Sequence, residues 1–290
     1  MISIVICSRR PDISAELRRN IAESVGCKYE IIVVDNAQRK YSISQAYNKA
    51  VGEANGNVLC FMHDDIVMRT SGWGKTVAEE LEDDSIGMIG VAGSHLMPSA
   101  PMYWWSSPFI AQYSWGIDGA GKTKKNITVD TFNGELADVA VVDGMFFCIP
   151  SKLFDTLRFD EALYKDFHAY DMDMSMQVQA MGKRVCVTRG FVVEHLWSES
   201  QFQNKKYMDL LDGNMELFYE KWKAFLPIVR GLNEPKIVID RVNNLMIAAY
   251  DAKKVRRSRP YRFWKASLRP FKWIKNTLKP KRDGVGIQTT

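Results

Sequence analysis

The clearest structural signal in the sequence is NVLCFMHDD at residues 57–65. Five consecutive apolar residues after Asn57 are typical of a short strand that is buried on both faces of a sheet. The run stops abruptly at His63, Asp64 and Asp65. Three polar side chains therefore follow the carboxyl end of a predicted buried strand, where parallel sheets commonly bind ligands.

Similar apolar runs occur before and after this stretch, at residues 2–7, 29–34 and 86–91. Helical patterns separate them, at residues 14–25, 44–54 and 73–83. Short apolar strands that alternate with helices predict an α/β fold, in which a mostly parallel sheet is flanked by helices. Further apolar runs at residues 137–142 and 145–149 predict more strands, and a helix is expected near residues 172–181.

The formal net charge of +5 is an average over two unlike parts. Residues 253–282 carry thirteen Lys and Arg and no acid, so the charge from residue 253 onward is 13 − 1 = +12 and that of residues 1–252 is 5 − 12 = −7. With 46% apolar residues the chain is too hydrophobic to be disordered throughout. No apolar run approaches the roughly 18–20 residues that span a bilayer, and the five scattered cysteines are expected to be reduced thiols.

Polar residues that can carry chemistry follow several predicted strands: Ser8-Arg9, Asp35, Asp64-Asp65, Asp143 and His195. Adjacent carboxylates such as Asp64 and Asp65 repel each other unless a cation or a proton intervenes. A divalent cation that also binds a diphosphate would neutralise both acids and stabilise a phosphate leaving group. Any one of these aspartates fits a helix cap or a turn equally well, so the coincidence of several carries the prediction.

These residues resemble the inverting glycosyltransferases of family 2, which have the GT-A fold and include enzymes of bacterial polysaccharide synthesis. The resemblance covers about residues 2–200. It rests on the following segments, in this order: Ile2–Ser8, Ile31–Asp35, Asn48-Lys49-Ala50, Val58–Asp65, Asp143-Gly144, Tyr170–Met174 and Val193–Ser198.

The resemblance implies a sugar transfer from a nucleoside diphosphate donor, most simply UDP, to a saccharide or lipid-linked acceptor. The donor-binding residues would be Ser8, Arg9, Asp35, Asp64 and Asp143. Asp65 and His195 would bind a divalent metal, Mn or Mg.

Asp171 matches the acid that the family uses as general base, which takes the proton from the attacking acceptor hydroxyl. Asp173 is its main rival for that role and a weaker candidate for acceptor binding. Trp104, Trp105 and Trp115 are further acceptor candidates, because a sugar can stack on an aromatic face, although aromatic side chains more often belong to the core.

The chain departs from the family pattern at several positions. His63 stands where the metal-binding motif usually begins with Asp, and Tyr170 stands where a Glu usually precedes the base. Ser8-Arg9-Arg10 and Ala50 are also atypical. Two alternatives therefore remain: a nucleotidyltransferase, although no glycine-rich phosphate loop follows the first strand, and a non-catalytic nucleotide-sugar-binding protein on a degenerate GT-A fold.

We expect a catalytic domain at residues 1–200, with a nucleotide-sugar-binding half (1–94) and an acceptor or catalytic half (95–200). C-terminal helices are expected at 201–252 and a basic amphipathic tail at 253–290. Basic residues interleaved with Trp, Phe and Leu at 253–282 suit the surface of an anionic membrane. The tail therefore predicts a cytoplasmic protein that is peripheral on the inner face of the cytoplasmic membrane. A solvated tail is the alternative, and nucleic-acid binding is disfavoured because the acidic body repels a polyanion.

Overall fold

The computed structural model describes residues 1–117, 124–125, 134–196 and 203–257. Its helices are α1 (Ala15–Ser24), α2 (Ile43–Val51), α3 (Trp73–Glu80), α4 (Tyr170–Ala180), α5 (Lys205–Trp222) and α6 (Lys236–Arg257). The strands of the first half are β1 (Ile2–Ser8), β2 (Tyr29–Asp35), β3 (Val58–Met62), β4 (Ile66–Met68), β5 (Ile86–Gly90), β6 (Ala92–Ser94), β7 (Leu96–Met97) and β8 (Ile110–Gln112). Those of the second half are β9 (Ser114–Ile117), β10 (Lys124–Lys125), β11 (Leu136–Asp138), β12 (Val141–Val142), β13 (Phe146–Pro150), β14 (Arg184–Thr188), β15 (Val193–His195) and β16 (Ile228–Val229). Short 3-10 helices lie at Trp104–Ser106 and Ser151–Asp155.

The main sheet has seven strands in the order β11-β14-β5-β13-β3-β1-β2. β1 is parallel to β2 and β3, and β14 is parallel to β5, whereas β13 lies antiparallel between β3 and β5. All five residues of β3 are buried. A strand in this central position has no solvent-facing side, which explains why its sequence is apolar throughout. The predicted mostly parallel α/β sheet is confirmed.

Helices cover both faces of the main sheet. Alternate residues of a strand point to opposite faces, so Cys60 packs with Trp73 of α3 on one side, while Phe61 packs with Tyr47 of α2 on the other. Burial of each large apolar side chain contributes about 1.5–3 kcal/mol to folding. Two apolar layers therefore hold the sheet rigid and fix the positions of its strand ends.

The segment at residues 63–65 links the main sheet to a smaller one. β3 ends at Met62, and β4 begins at Ile66 in a four-stranded sheet of order β10-β9-β15-β4. The backbone N–H of His63 donates to the carbonyl of Met145 at 3.0 Å. The three polar residues after the buried strand are thus held between two sheets.

Two local predictions were wrong in detail. Residues 137–142 do not form one strand, because the chain changes partners: Ala137 pairs with β14, whereas Val141 pairs with β6 in another sheet. The helix expected from residue 172 begins earlier, at Tyr170, directly after Ala169 with its positive φ of 64°. This earlier start places Asp171 in the first turn of α4.

The chain divides into two compact units, Met1–Met246 and Ile247–Thr290. In the second unit the described residues 247–257 are helical. The predicted boundaries after residues 94, 200 and 252 stay predictions, and the basic tail beyond Arg257 lies outside the described residues. In the part of the chain that the structure describes, no helix is both long and apolar enough to cross a membrane.

Candidate active site

The carboxyl ends of β1, β2 and β3 carry four of the predicted donor-binding residues. Ser8 ends β1 and is paired in register with Asp35 at the end of β2. The buried hydroxyl of Ser8 donates a hydrogen bond of 2.6 Å to Oδ2 of Asp64, directly after β3. Arg9 and Asp35 are exposed, and Asp35 accepts a hydrogen bond from the backbone N–H of Ala37 at 2.9 Å. The structure therefore joins Ser8 to Asp64 and leaves Arg9 and Asp35 open to solvent.

One carboxylate and two imidazoles meet beside this pair. Oδ1 of Asp65 lies 3.3 Å from Nε2 of His195 and 3.7 Å from Nδ1 of His63, and the two imidazole nitrogens are 3.4 Å apart. Pairing of β15 with β4 places His195 opposite Ile66, the residue after Asp65. The backbone N–H of Leu196 then donates to the carbonyl of Asp65 at 2.8 Å. We call His63, Asp65 and His195 the ligand triad.

The ligand triad fits a divalent cation. Its ligand atoms all lie within 4.8 Å of one another. Oδ1 of Asp65 is buried, and among the described residues its close neighbours are the two imidazole nitrogens of His195 and His63. Burial raises the pKa of Asp65, but the neighbouring His195 and His63 outweigh burial and lower it to about 2. Burial, followed by repulsion from His195, lowers the pKa of His63. An ionised carboxylate and a neutral imidazole are the forms that bind metals.

Tyr170 connects the ligand triad to the start of α4. Its hydroxyl donates to the carbonyl of Gly144 at 3.2 Å and lies 3.2 Å from Nε2 of His63. A Cβ atom at Gly144 would lie only 2.2 Å from that hydroxyl and 3.1 Å from Oδ2 of Asp171. Position 144 therefore requires glycine because Tyr170 and Asp171 approach its backbone so closely.

Asp143 and Asp171 form a pair of acids on the other side of Gly144. Asp143 accepts hydrogen bonds from the indole of Trp104 at 3.0 Å and from the backbone N–H of Met145 at 2.8 Å. Asp171 accepts one from the backbone N–H of Met172 at 2.9 Å. Burial, and then the negative charge of Asp143, raises the pKa of Asp171 to about 7. A carboxyl group with such a pKa can exchange a proton near neutral pH.

Comparisons with known proteins identify the family. A family model described as "Glycosyltransferase like family" matches residues 3–222 of the 290-residue chain. The chain belongs to this family. The glycosyltransferase family predicted from the sequence is confirmed, and by its family the chain is of the glycosyltransferase class. No match was found among curated protein sequences.

Three solved structures are among those to which this chain is similar. TarS 1-349 from S. aureus, in complex with UDP-GlcNAc, has 12% identity and a TM-score of 0.47, over 89% of this chain and 74% of that one. Mannosyltransferase PcManGT from Pyrobaculum calidifontis, in complex with GDP-Man and Mn2+, has 13% identity and a TM-score of 0.46, over 96% and 87%. GalNAc-T7, solved with UDP, GalNAc and Mn2+, has 15% identity and a TM-score of 0.46 over 67% of this chain, which spans only 43% of that chain.

Asp173 of this glycosyltransferase lies away from the acids at the strand ends. It is 1% exposed. Its carboxylate accepts hydrogen bonds from the indole of Trp222 at 2.8 Å and from Gln177 at 2.8 Å, and it forms an ion pair with Lys221 at 2.8 Å. Tyr164 also donates to it, at 3.3 Å. These contacts occupy Asp173 in the packing between α4 and α5 and favour a structural role over one as base or acceptor ligand.

The predicted acceptor tryptophans of the glycosyltransferase differ in exposure. Trp104 is 6% exposed and its indole is bonded to Asp143, so it supports an acid at the site. Trp105 is 39% exposed, and its ring stacks on that of Tyr103 with 4.8 Å between centroids. Trp105 is therefore the better placed of the two to meet a sugar. The side chain of Trp115 lies outside the described residues.

The loop before α4 is held to α2 by Asn48. Its side chain donates to the carbonyl of Phe159 at 2.9 Å and accepts from the N–H of the same residue at 3.1 Å. On the far side of the loop, Asn214 of α5 donates to both carboxylate oxygens of Asp166, at 3.0 and 2.9 Å. Asn48, one of the residues that carried the family resemblance, thus helps to set the position of α4 in the glycosyltransferase.

Sequence reasoning treated His63 and Tyr170 only as departures from the family pattern, but the structure places both at the site. One signal for His63 was available: it directly follows the buried strand β3, at the same sheet edge as Asp64 and Asp65. Nothing in the sequence indicated the contact between His63 and Tyr170, because 107 positions separate them.

Proposed function

We propose that this glycosyltransferase moves a sugar from a nucleoside diphosphate donor, with UDP as the nucleotide, to a saccharide acceptor with inversion at the sugar. The observation that carries the proposal is the placement of two kinds of acid at one edge of the sheet. Asp65 has a pKa lowered to about 2, whereas Asp171 has one raised to about 7. Such a difference suits one acid that stays charged and another that exchanges protons.

We infer that the donor lies over the ends of β1, β2 and β3. Asp35 and Asp64 would accept hydrogen bonds from ribose or base, and the hydroxyl of Ser8 keeps Asp64 oriented through its 2.6 Å hydrogen bond. The guanidinium of the exposed Arg9 would pair with the phosphates. Asp143, fixed by Trp104 and by the backbone of Met145, would contact the donor sugar.

We propose that the ligand triad holds the metal that the reaction requires. Its buried carboxylate oxygen and its two imidazole nitrogens, all within 4.8 Å of one another, support this role. A divalent ion bound there would neutralise negative charge on the leaving diphosphate. The residues of the triad would hold this ion at the end of β3, beside Ser8 and Asp64, which we place at the donor.

We propose that Asp171 is the general base. With a pKa near 7 its carboxylate is substantially ionised at neutral pH, yet it is basic enough to accept the proton of an acceptor hydroxyl. The first turn of α4 and the hydrogen bond from Met172 hold it beside Asp143, which we place at the donor sugar. Trp105 is our candidate for the aromatic surface that the acceptor sugar contacts.

A panel of nucleotide sugars tests the function. Thermal unfolding with Mn²⁺ and each donor should show stabilisation by UDP-sugars, and slow release of UDP should follow when no acceptor is present. Removal of metal with EDTA should abolish that release. Release of pyrophosphate would instead indicate a nucleotidyltransferase, and stabilisation without any turnover would indicate a non-catalytic binding protein. Either result would overturn the proposal.

We further propose that the acceptor is lipid-linked and that residues 253–282 bind the inner face of the cytoplasmic membrane. The argument is the charge of this segment, thirteen Lys and Arg without an acid. Each cation near an anionic surface contributes on the order of 1 kcal/mol, and salt weakens the attraction. The full chain should sediment with vesicles of phosphatidylglycerol, and a chain that lacks residues 258–290, which keeps α6 whole, should not. Equal sedimentation of both chains at every salt concentration would exclude the tail as the anchor.

A further inference from the structure

The two main departures from the family pattern, His63 and Tyr170, contact each other. Nε2 of His63 lies 3.2 Å from the hydroxyl of Tyr170. Tyr170 is buried, and its ring packs edge-on against Tyr47 with 5.6 Å between centroids, so the position of the hydroxyl is fixed by the core. A side chain held in this way can orient the imidazole that it touches.

The hydrogen bonds of Tyr170 determine which nitrogen of His63 carries the proton. The carbonyl of Gly144 can only accept, so the single hydroxyl proton of Tyr170 points toward that carbonyl. The tyrosine oxygen must then accept from His63, and Nε2 of His63 carries the hydrogen. In a neutral imidazole the other nitrogen, Nδ1, is left with a free lone pair. That nitrogen is the one that faces Asp65 and His195.

The distances within the ligand triad suit a single ion. Atoms bound at about 2.1 Å are separated by about 3.0 Å at right angles and about 3.4 Å at tetrahedral angles. The observed separations are 3.3, 3.4 and 3.7 Å. Small side-chain movements would therefore bring all three atoms onto one metal ion.

The chemistry of these ligands discriminates among metals. Imidazole nitrogen suits the later first-row transition ions, and affinity rises from Mn²⁺ to Co²⁺ and beyond, whereas Mg²⁺ and Ca²⁺ prefer oxygen ligands. With His63 included, two of the three protein ligands are nitrogen. A carboxylate at position 63 would instead give a set of two carboxylates and one imidazole, which Mg²⁺ accepts more readily.

We propose that His63 is a metal ligand, that the ligand triad therefore selects a first-row transition ion over Mg²⁺, and that Tyr170 is the positioning residue that directs Nδ1 of His63 toward the ion. The proposal rests on the proposed function, because it concerns the metal of that site. His63 and Tyr170, the two main departures from the family pattern, would then act together at the metal. Such a joint role argues against a degenerate, inactive fold.

Calorimetric titration of the full chain, freed of metal with EDTA, tests the selectivity. We expect Co²⁺ and Mn²⁺ to bind and Mg²⁺ to bind at least about 100-fold more weakly than Co²⁺. Electron spin echo measurements on bound Mn²⁺ should detect two coordinated imidazoles, and only one in His63→Ala. Mg²⁺ affinity within about threefold of that of Co²⁺, or a signal from one imidazole in the unmodified chain, would overturn the proposal.

Two substitutions separate the ligand from its positioning residue. His63→Asp should reduce the preference for Co²⁺ over Mg²⁺ at least about tenfold, because it replaces nitrogen with oxygen. Tyr170→Phe keeps the ring but removes the hydroxyl, and should weaken Co²⁺ binding by about 10–100-fold. The control is Tyr164→Phe, which removes another buried hydroxyl, one bonded to Asp173 far from the triad; it should leave Co²⁺ affinity unchanged.

Equal Co²⁺ affinities in Tyr170→Phe and Tyr164→Phe would exclude the positioning role, and an unchanged metal preference in His63→Asp would exclude His63 as a ligand. These titrations contain no nucleotide sugar. They can therefore fail while sugar transfer is observed, or succeed while no donor is turned over, so the two proposals fail separately.

Discussion

Asp171 and Asp173, two residues apart in the first turn of α4, lie in two different regions of the molecule. Asp171 lies beside Asp143 at the edge formed by the strand ends, with one backbone hydrogen bond and a pKa raised to about 7. Asp173 lies in the α4–α5 junction, where Trp222 and Lys221 hold its carboxylate. Residues two apart on a helix are rotated by about 200°, so the same turn serves both regions.

The neighbours of an acid, more than its place in a motif, therefore determine what it can do. A lysine and an indole next to Asp173 occupy its carboxylate oxygens. Asp171 has another acid as its neighbour, and burial without a cation makes its carboxyl group ready to hold a proton. The comparison therefore predicts that one acid is needed for catalysis and the other for stability.

Asp171→Asn should lose nearly all of its transfer activity. An amide cannot accept the proton of the acceptor hydroxyl, so we expect the rate of transfer to fall about 10³-fold. Binding of the nucleotide sugar should change little, because Asp171 is placed at the acceptor side. The measurements are steady-state kinetics for transfer and calorimetry for UDP-sugar binding.

The same substitution at the second acid is the matched control. If Asp173→Asn lowered the rate of transfer per folded molecule as much as Asp171→Asn does, the contrast between the two regions would be lost and Asp173 would become the better base. Full activity of Asp171→Asn would remove Asp171 from the mechanism.

A smaller effect is expected on stability in Asp173→Asn. Breaking a fully buried ion pair costs about 3–5 kcal/mol, but Lys221 is 27% exposed and also pairs with Asp160, so we expect about 2 kcal/mol. The free energy of unfolding, measured by chemical denaturation, should fall by this amount in Asp173→Asn. A loss of equal size in Asp171→Asn would show that the strand-end acid is structural as well.

The sequence predicted the strands and their polar ends well, because a buried strand such as β3 shows its apolar run and the abrupt stop at His63 in consecutive residues. It also predicted that Asp65 and His195 belong to one site, through the family resemblance. It did not separate Asp171 from Asp173, since that separation depends on Trp222 of α5, 49 positions away. The contact of His63 with Tyr170 could not be predicted either, because 107 positions separate the two residues in the sequence.

The smallest expected effect concerns pH. With the pKa of Asp171 near 7, its ionised fraction rises about tenfold between pH 6 and pH 8, and the rate of transfer should rise by the same factor. A pH profile of kcat/KM on the unmodified enzyme measures this rise. A flat profile over that range, at saturating metal, would contradict the assignment of Asp171 as the base.

The raised pKa of Asp171 also makes folding stability depend on pH. Stability should fall with rising pH, whereas the rate of transfer should rise. A carboxyl group whose pKa is higher in the folded chain than in the unfolded chain favours folding at low pH, below the unfolded value of 3.8. That contribution is lost as the pH rises from 3.8 to about 7, because the carboxyl group then ionises in the unfolded chain while it stays protonated in the folded chain. The unmodified chain should therefore lose stability relative to Asp171→Asn between pH 4 and pH 7, as read from denaturation midpoints of both chains. A constant difference over this range would mean that Asp171 does not titrate there, and the pH dependence of the rate would then need another group.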